Sequence, residues 1–174
     1  DAAISEWTEK VVLTEEAKKV QAYLSQGGHL RARLEAPVML RQESDTLYTE
    51  FPKTLHVDFY DSTGKRESWL DARYGKHFES LNKVWLRDSV RVISIEGDTL
   101  QTSELWWDQN TRKFYTDKNV RIGTKTKLIY GGRGMSADQD LSNVVIHQPT
   151  GTVLVNDDFQ SPAQADTTAT TTGN

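Results

Sequence analysis

Leu55-His56-Val57-Asp58-Phe59-Tyr60 runs directly into Asp61-Ser62-Thr63-Gly64. In the first stretch Leu55, Val57 and Phe59 alternate with His56, Asp58 and Tyr60, the period of two that turns one face of a strand to a core and the other to water. The second stretch carries turn chemistry, with Gly64 suited to a position of positive φ. Another strand-like run, Ser68 to Phe78, follows it, so the local reading is an antiparallel hairpin. From Gly28 onward the same grammar continues: short alternating runs separated by Gly, Asp, Asn and Ser clusters.

Working outward, the hairpin belongs to a repeat. Leu70-Asp71-Ala72 and Leu100-Gln101-Thr102 lie about 30 residues apart, and the same offset relates Asp88-Ser89-Val90-Arg91-Val92 to Lys118-Asn119-Val120-Arg121-Ile122. Between them, the turn and aromatic strand from Phe78 to Trp85 match those from Asp108 to Tyr115. A partial copy starts at Gly134-Met135-Ser136-Ala137-Asp138, and an abbreviated one at Leu30-Arg31-Ala32-Arg33. Units of about two or three strands predict stacked antiparallel hairpins and an all-β chain. Thr14 to Gln26 reads two ways. It is rich in helix formers, with a possible N-cap at Thr14 and a stop at Gly27-Gly28. It also reads as a strand through Val20-Gln21-Ala22-Tyr23-Leu24, a turn at Ser25 to Gly28, and a return strand Leu30 to Leu34 that ends before Pro37.

A chain of 174 residues suits one domain, large enough to bury roughly two thirds of its unfolded surface. The net charge of −4 is spread along the sequence, which leaves no basic stripe for nucleic acid. The absence of cysteine removes disulfides, thiol catalysis and cysteine metal sites. No run reaches the ~18 apolar residues of a membrane helix. The sequence starts at Asp1 without methionine, which leaves open an export signal, a membrane anchor or a lipid-attachment cysteine upstream of it. Residues 157–174, with their Ser, Pro, Ala and Thr, predict a disordered polar tail. The folded domain is expected over 18–156, and segment 1–17 is left without an assignment.

Motifs with catalytic or ligand chemistry fail on context. Gly132-Arg133-Gly134-Met135-Ser136-Ala137 fits a dinucleotide fingerprint, yet no helix is predicted after it to present free N–H groups to a phosphate. Asp138-Gln139-Asp140-Leu141-Ser142 begins like a calcium loop, but Asn143 and Pro149 occupy the positions of the glycine and the final glutamate. His29, His56, His77 and His147 are scattered. Trp106-Trp107 suggests a sugar platform, although alternation sends one indole inward and the other out. The expectation is a protein with no catalytic residues, cofactor or metal.

The order of several short pieces resembles the LptC and OstA-like family, in the version of Bacteroides-like bacteria, over about residues 18 to 156. These pieces are Leu34-Glu35-Ala36-Pro37, Tyr48 to Pro52, Leu70-Asp71-Ala72, Gly97 to Asp108, Tyr115-Thr116-Asp117 and Gly132 to Asp138. Two turns depart from the pattern, at Asp88-Ser89-Val90 and near Lys53-Thr54. The resemblance favours the hairpin over the helix at residues 14–26. It implies a twisted, open antiparallel β-jelly-roll whose apolar interior holds the acyl chains of lipopolysaccharide. It also implies a periplasmic place beside the inner membrane, reached through an N-terminal anchor. The implied partners are the jelly-roll of an ABC transporter's membrane subunits and an LptA-like bridge protein, met through the terminal edge strands. A soluble LptA-like bridge and a β-edge protein-interaction module without lipid are the alternatives.

On that reading the groove candidates are Phe51, Leu55, Val57, Phe59, Ala72, Tyr74, Leu86, Val90, Val92, Leu100, Thr102, Leu105, Trp107, Val120, Ile122, Leu128 and Tyr130. Val20, Ala22 and Leu24 mark one partner edge, and Val153 and Val155 the other. Any β-sandwich needs such residues for its own core, and a single slip of register would invert part of the set.

Overall fold

A computed structural model describes residues 14–43, 46–147 and 149–154. Val155, the expected tail 157–174 and residues 1–13 lie outside the described residues. The elements are β1 (Thr14–Gln26), β2 (His29–Glu43), β3 (Leu47–Phe51), β4 (Leu55–Tyr60), β5 (Arg66–Ala72), β6 (Tyr74–Phe78), a 3₁₀ turn (Glu79–Leu81), β7 (Lys83–Ser94), β8 (Thr99–Asp108), β9 (Lys113–Thr116), β10 (Val120–Gly123), β11 (Lys127–Gly131), β12 (Met135–Asp138), β13 (Val145–Ile146) and β14 (Pro149–Leu154). The pairings among them are antiparallel, as the alternating pattern predicts. Residues 14–26 are a strand, joined to β2 by the turn at Gly27 and Gly28, whose φ values are 60° and 80°.

The 14-stranded sheet folds back on itself because its long strands change partners halfway. Residues Ala32–Glu35 of β2 pair with β4, whereas Leu40–Glu43 pair with β3. Likewise β7 leaves β6 for β5 after Arg87, and β8 leaves β10 for β9 after Thr102. Two layers result. One contains β4, β5, β10, β11, β14 and the adjoining halves of β1, β2, β7 and β8. The other contains β3, β6, β9, β12, β13 and the remaining halves.

All passages between layers fall along one line, which forms a spine. Lys19, Thr54, Asp88 and Ser89 on it have φ values of 56°, 73°, 68° and 57°. Backbone bonds from Thr54 N–H to the Arg73 carbonyl (2.9 Å) and from Arg73 N–H to the Asp88 carbonyl (3.0 Å) knit neighbouring passages together. The spine corrects one expectation: β2 does not stop before Pro37 but continues to Glu43. Pro37 sits between the β4 and β3 ladders, level with the break at Lys19 in the β1 pairing, so its missing N–H costs no ladder bond.

The sequence repeat is one circuit out and back across the spine. Asn82 and Arg112, at equivalent points of the two copies, take nearly the same left-handed φ, 53° and 56°. Gly134 has φ 99° at the β11–β12 passage, and a Cβ there would lie 2.1 Å from the Thr116 carbonyl oxygen. Gly134 of the apparent nucleotide fingerprint thus serves a close backbone crossing.

Candidate functional site

Register makes the space between the layers a continuous apolar stripe. In the first layer Leu34, Val57, Leu70, Val92, Leu100, Ile122 and Ile129 stand side by side on successive strands. Nearer the spine, Ala72, Val90, Thr102 and Val120 make a second rung. In the facing layer Val84, Trp107, Phe114 and Ala137 form one rung, and Phe51, Leu86 and Leu105 belong to the next. Each large side chain hidden here contributes about 1.5–3 kcal/mol to folding.

Fourteen of the expected groove candidates lie on this inner surface: Phe51, Leu55, Val57, Phe59, Ala72, Leu86, Val90, Val92, Leu100, Thr102, Leu105, Trp107, Val120 and Ile122. Thr102 is the most exposed of them at 8%, and its hydroxyl donates to the Asn119 carbonyl at 2.8 Å. Tyr74, Leu128 and Tyr130 are corrections. Tyr74 pairs with Arg87 and shares its outward side; the guanidinium carbon lies 4.0 Å from the ring centroid, and the hydroxyl donates to Glu50. Leu128 and Tyr130 pair with Gly123 and Arg121, which leaves Ile129, opposite Ile122, as the inward residue of β11. The alternation in Lys127 to Tyr130 is one residue out of phase with the apolar pattern, and two adjacent apolar residues conceal the phase.

Other inward residues were missed, including Leu34, Leu70, Val84, Phe114, Met135 and Ala137. Leu70 and Leu34 were visible in their strands' alternation, and Val84 and Phe114 occupy equivalent places in the repeat. Trp106 and Trp107 divide as alternation requires. Trp107 is inside, while Trp106 joins Phe78, Trp85 and Tyr115 in a ladder of rings on the outer face, at centroid distances of 5.9 to 6.3 Å.

Opposite the spine, the layers meet at their tips. Phe59 of the first layer lies edge-on to Trp107 and Phe114 of the second, with centroids 4.8 and 5.2 Å apart. Gln139, 3% exposed, is a buried polar residue of this mouth and had no signal in the strand pattern. The Trp107 indole N–H donates to its Oε1 at 3.3 Å, and its Nε2 donates to the Tyr60 carbonyl at 3.4 Å. His77, on the inner side of the second layer, contacts Gln109 at 3.2 Å, and burial pulls its imidazole below the ordinary range.

On the outside of the first layer, Asp58 gathers His56, Arg33 and Arg66 at 3.0, 3.1 and 3.1 Å. Burial alone would raise this carboxyl, but the hydrogen bonds from His56 and Arg33 outweigh it and hold the group below its usual range. The network fastens β2, β4 and β5 and faces away from the interior.

Both ends of the sheet present free strand edges among the described residues. β1 pairs with β2 alone, and β14 with β11 alone. Val20, Ala22 and Leu24 pair with Ala36, Leu34 and Ala32, continuing the inner rungs to the β1 edge. Val153 pairs with Leu128 at the other end. Such an arrangement can hide hydrocarbon from water and offer backbone groups to another sheet.

A family model described as lipopolysaccharide-assembly, LptC-related, matches residues 9–154. No curated protein matches the chain. Among the described residues no helix is long and apolar enough to cross a membrane.

Proposed function

The chain belongs to the LptC-related lipopolysaccharide-assembly family, and from that membership we propose that it receives lipopolysaccharide from an inner-membrane ABC transporter and hands it to the next bridge protein. The observation that carries this reading is the apolar stripe from Ala22 on β1 to Ile129 on β11, which crosses the first layer from strand to strand. Each methylene kept from water is worth about 0.8 kcal/mol, so an acyl chain crosses an aqueous compartment at low cost only along such a surface. The free edges of β1 and β14 are the surfaces for strand addition by the transporter's jelly-roll and by an LptA-like bridge. Energy for movement comes from the transporter. The working place is the periplasm, with anchorage to the inner membrane by a segment outside this sequence.

Photocrosslinking side chains placed at Val57, Leu100 and Ile122 in living cells test the reading. Capture of lipopolysaccharide from these positions, and none from outward Tyr74, is expected. Equal capture inside and outside, or none from the interior, would overturn the conduit.

A further inference from the structure

Beside Gln139, the mouth contains a cavity of about 170 Å³ that spans the two layers. Its apolar walls include Leu24 and Trp107, its polar ones Asn82 and Gln109, and two cations, Arg31 and Arg112, line it. Arg31 reaches this place through a bulge. In the β1–β2 hairpin Leu24 pairs with Ala32 and Ser25 with Leu30, which leaves Arg31 as the extra residue. A bulge of this kind re-aims a side chain and is a recurrent device beside binding sites.

The Nε and Nη1 atoms of Arg31 are buried with no hydrogen-bond partner among the described residues. A guanidinium held this way is costly unless something anionic completes it. Arg112 also lines a separate depression with Glu67, Asp138 and Asp140, and its charge acts on the Glu67 carboxyl. Arg31 is the cation of the cavity with buried donors that lack a partner among the described residues.

We propose that the mouth cavity binds a phosphate of the lipopolysaccharide headgroup, with Arg31 as its anchor, while the acyl chains pass Gln139 into the interior. This rests on the conduit reading and adds to it where the polar end of the lipid sits. Planar guanidinium donors match the oxygens of a phosphate in a forked geometry. The neighbouring Trp107 provides an apolar wall where headgroup gives way to chain.

The test is binding of the purified chain to three probes: lipid A with its phosphates, the same lipid dephosphorylated, and inorganic phosphate alone. Wild-type protein is expected to prefer the phosphorylated lipid at least about tenfold over the dephosphorylated one. Arg31→Gln should erase that preference and leave binding of the dephosphorylated lipid unchanged, which also shows that the variant is folded. Arg31→Lys should restore part of it. A wild-type protein that binds both lipids equally, or a preference that survives in Arg31→Gln, overturns the headgroup site and leaves the conduit standing. Inorganic phosphate binding as tightly as the phosphorylated lipid also overturns it, by marking a site for the free anion. Failure of both lipids to bind wild-type protein removes the conduit reading and the site with it.

Discussion

The Ser68 hydroxyl donates to the Gln139 backbone carbonyl at 2.5 Å, a bond from one layer to the other between two residues that water hardly reaches. With the bonds that Gln139 makes to Trp107 and Tyr60, it closes the mouth by polar contacts that nothing in the apolar core replaces. Gln139→Leu would leave the Trp107 indole N–H and the Tyr60 carbonyl without this partner, at a cost of about 1–3 kcal/mol. Urea unfolding measures the loss, and hydrogen exchange should quicken in β4, β5 and β12 before other strands. Unchanged stability would mean that the mouth is held by packing alone.

Truncation should separate inside from outside. Phe59→Ala removes a fully buried ring and its two edge-on contacts, and should cost about 3–5 kcal/mol. Tyr74→Ala, on the outer face, should cost about 1 kcal/mol from its cross-strand contacts. Similar losses at both positions, measured by denaturation, would contradict the assigned facing of β6.

Gly134 tolerates no side chain. Gly134→Ala combines a φ of 99° with a Cβ overlapping the Thr116 carbonyl, and should destabilise the fold by about 3 kcal/mol or more. Gly97, also at positive φ but with open space around it, should lose less on the same change. Thermal melts of the two variants compare them directly, and the reverse order would place the strain elsewhere.

His56 predicts a pH dependence. Its Nδ1 lies 2.8 Å from Asp71 and its Nε2 3.0 Å from Asp58. Partial burial pulls the imidazole down, but the two carboxylates outweigh it and raise it above its ordinary value. A folded value above the unfolded one, about 6.5, means stabilisation that is full below about pH 6.5 and lost as pH rises through the folded value. The stability advantage of wild type over His56→Gln should therefore shrink on going from pH 6 to pH 8. Proton NMR should place the His56 midpoint above 6.5 and lower in Asp71→Asn; a wild-type midpoint at or below 6.5 would refute the assignment.

Alternation and repetition made the strands, the turns and the inner surface of β4, β7, β8 and β10 legible, because a period of two converts directly into facing. β11 was not legible in this way, since Leu128, Ile129 and Tyr130 are all apolar enough to face either way and only pairing with Ile122 sets the phase. Tyr74 misled because Gly75 carries no side chain to show that the inward position falls there. The folding of one sheet into two layers depends on where β2, β7 and β8 change partners, a property of pairing that no single strand carries. Gln139 and Arg31 were invisible for a related reason: a turn and a bulge lie outside any periodic pattern, and their partners come from distant parts of the chain.

Among the described residues the two ends of the sheet differ, with an edge at β1 on one side and at β13 and β14 on the other. Joining such units edge to edge is therefore heterologous, and it builds an open row instead of a closed pair. Every member of that row points the same way. A polarity set by chain topology distinguishes upstream from downstream before any cargo is loaded, as the grain of a rope does for each strand laid along it.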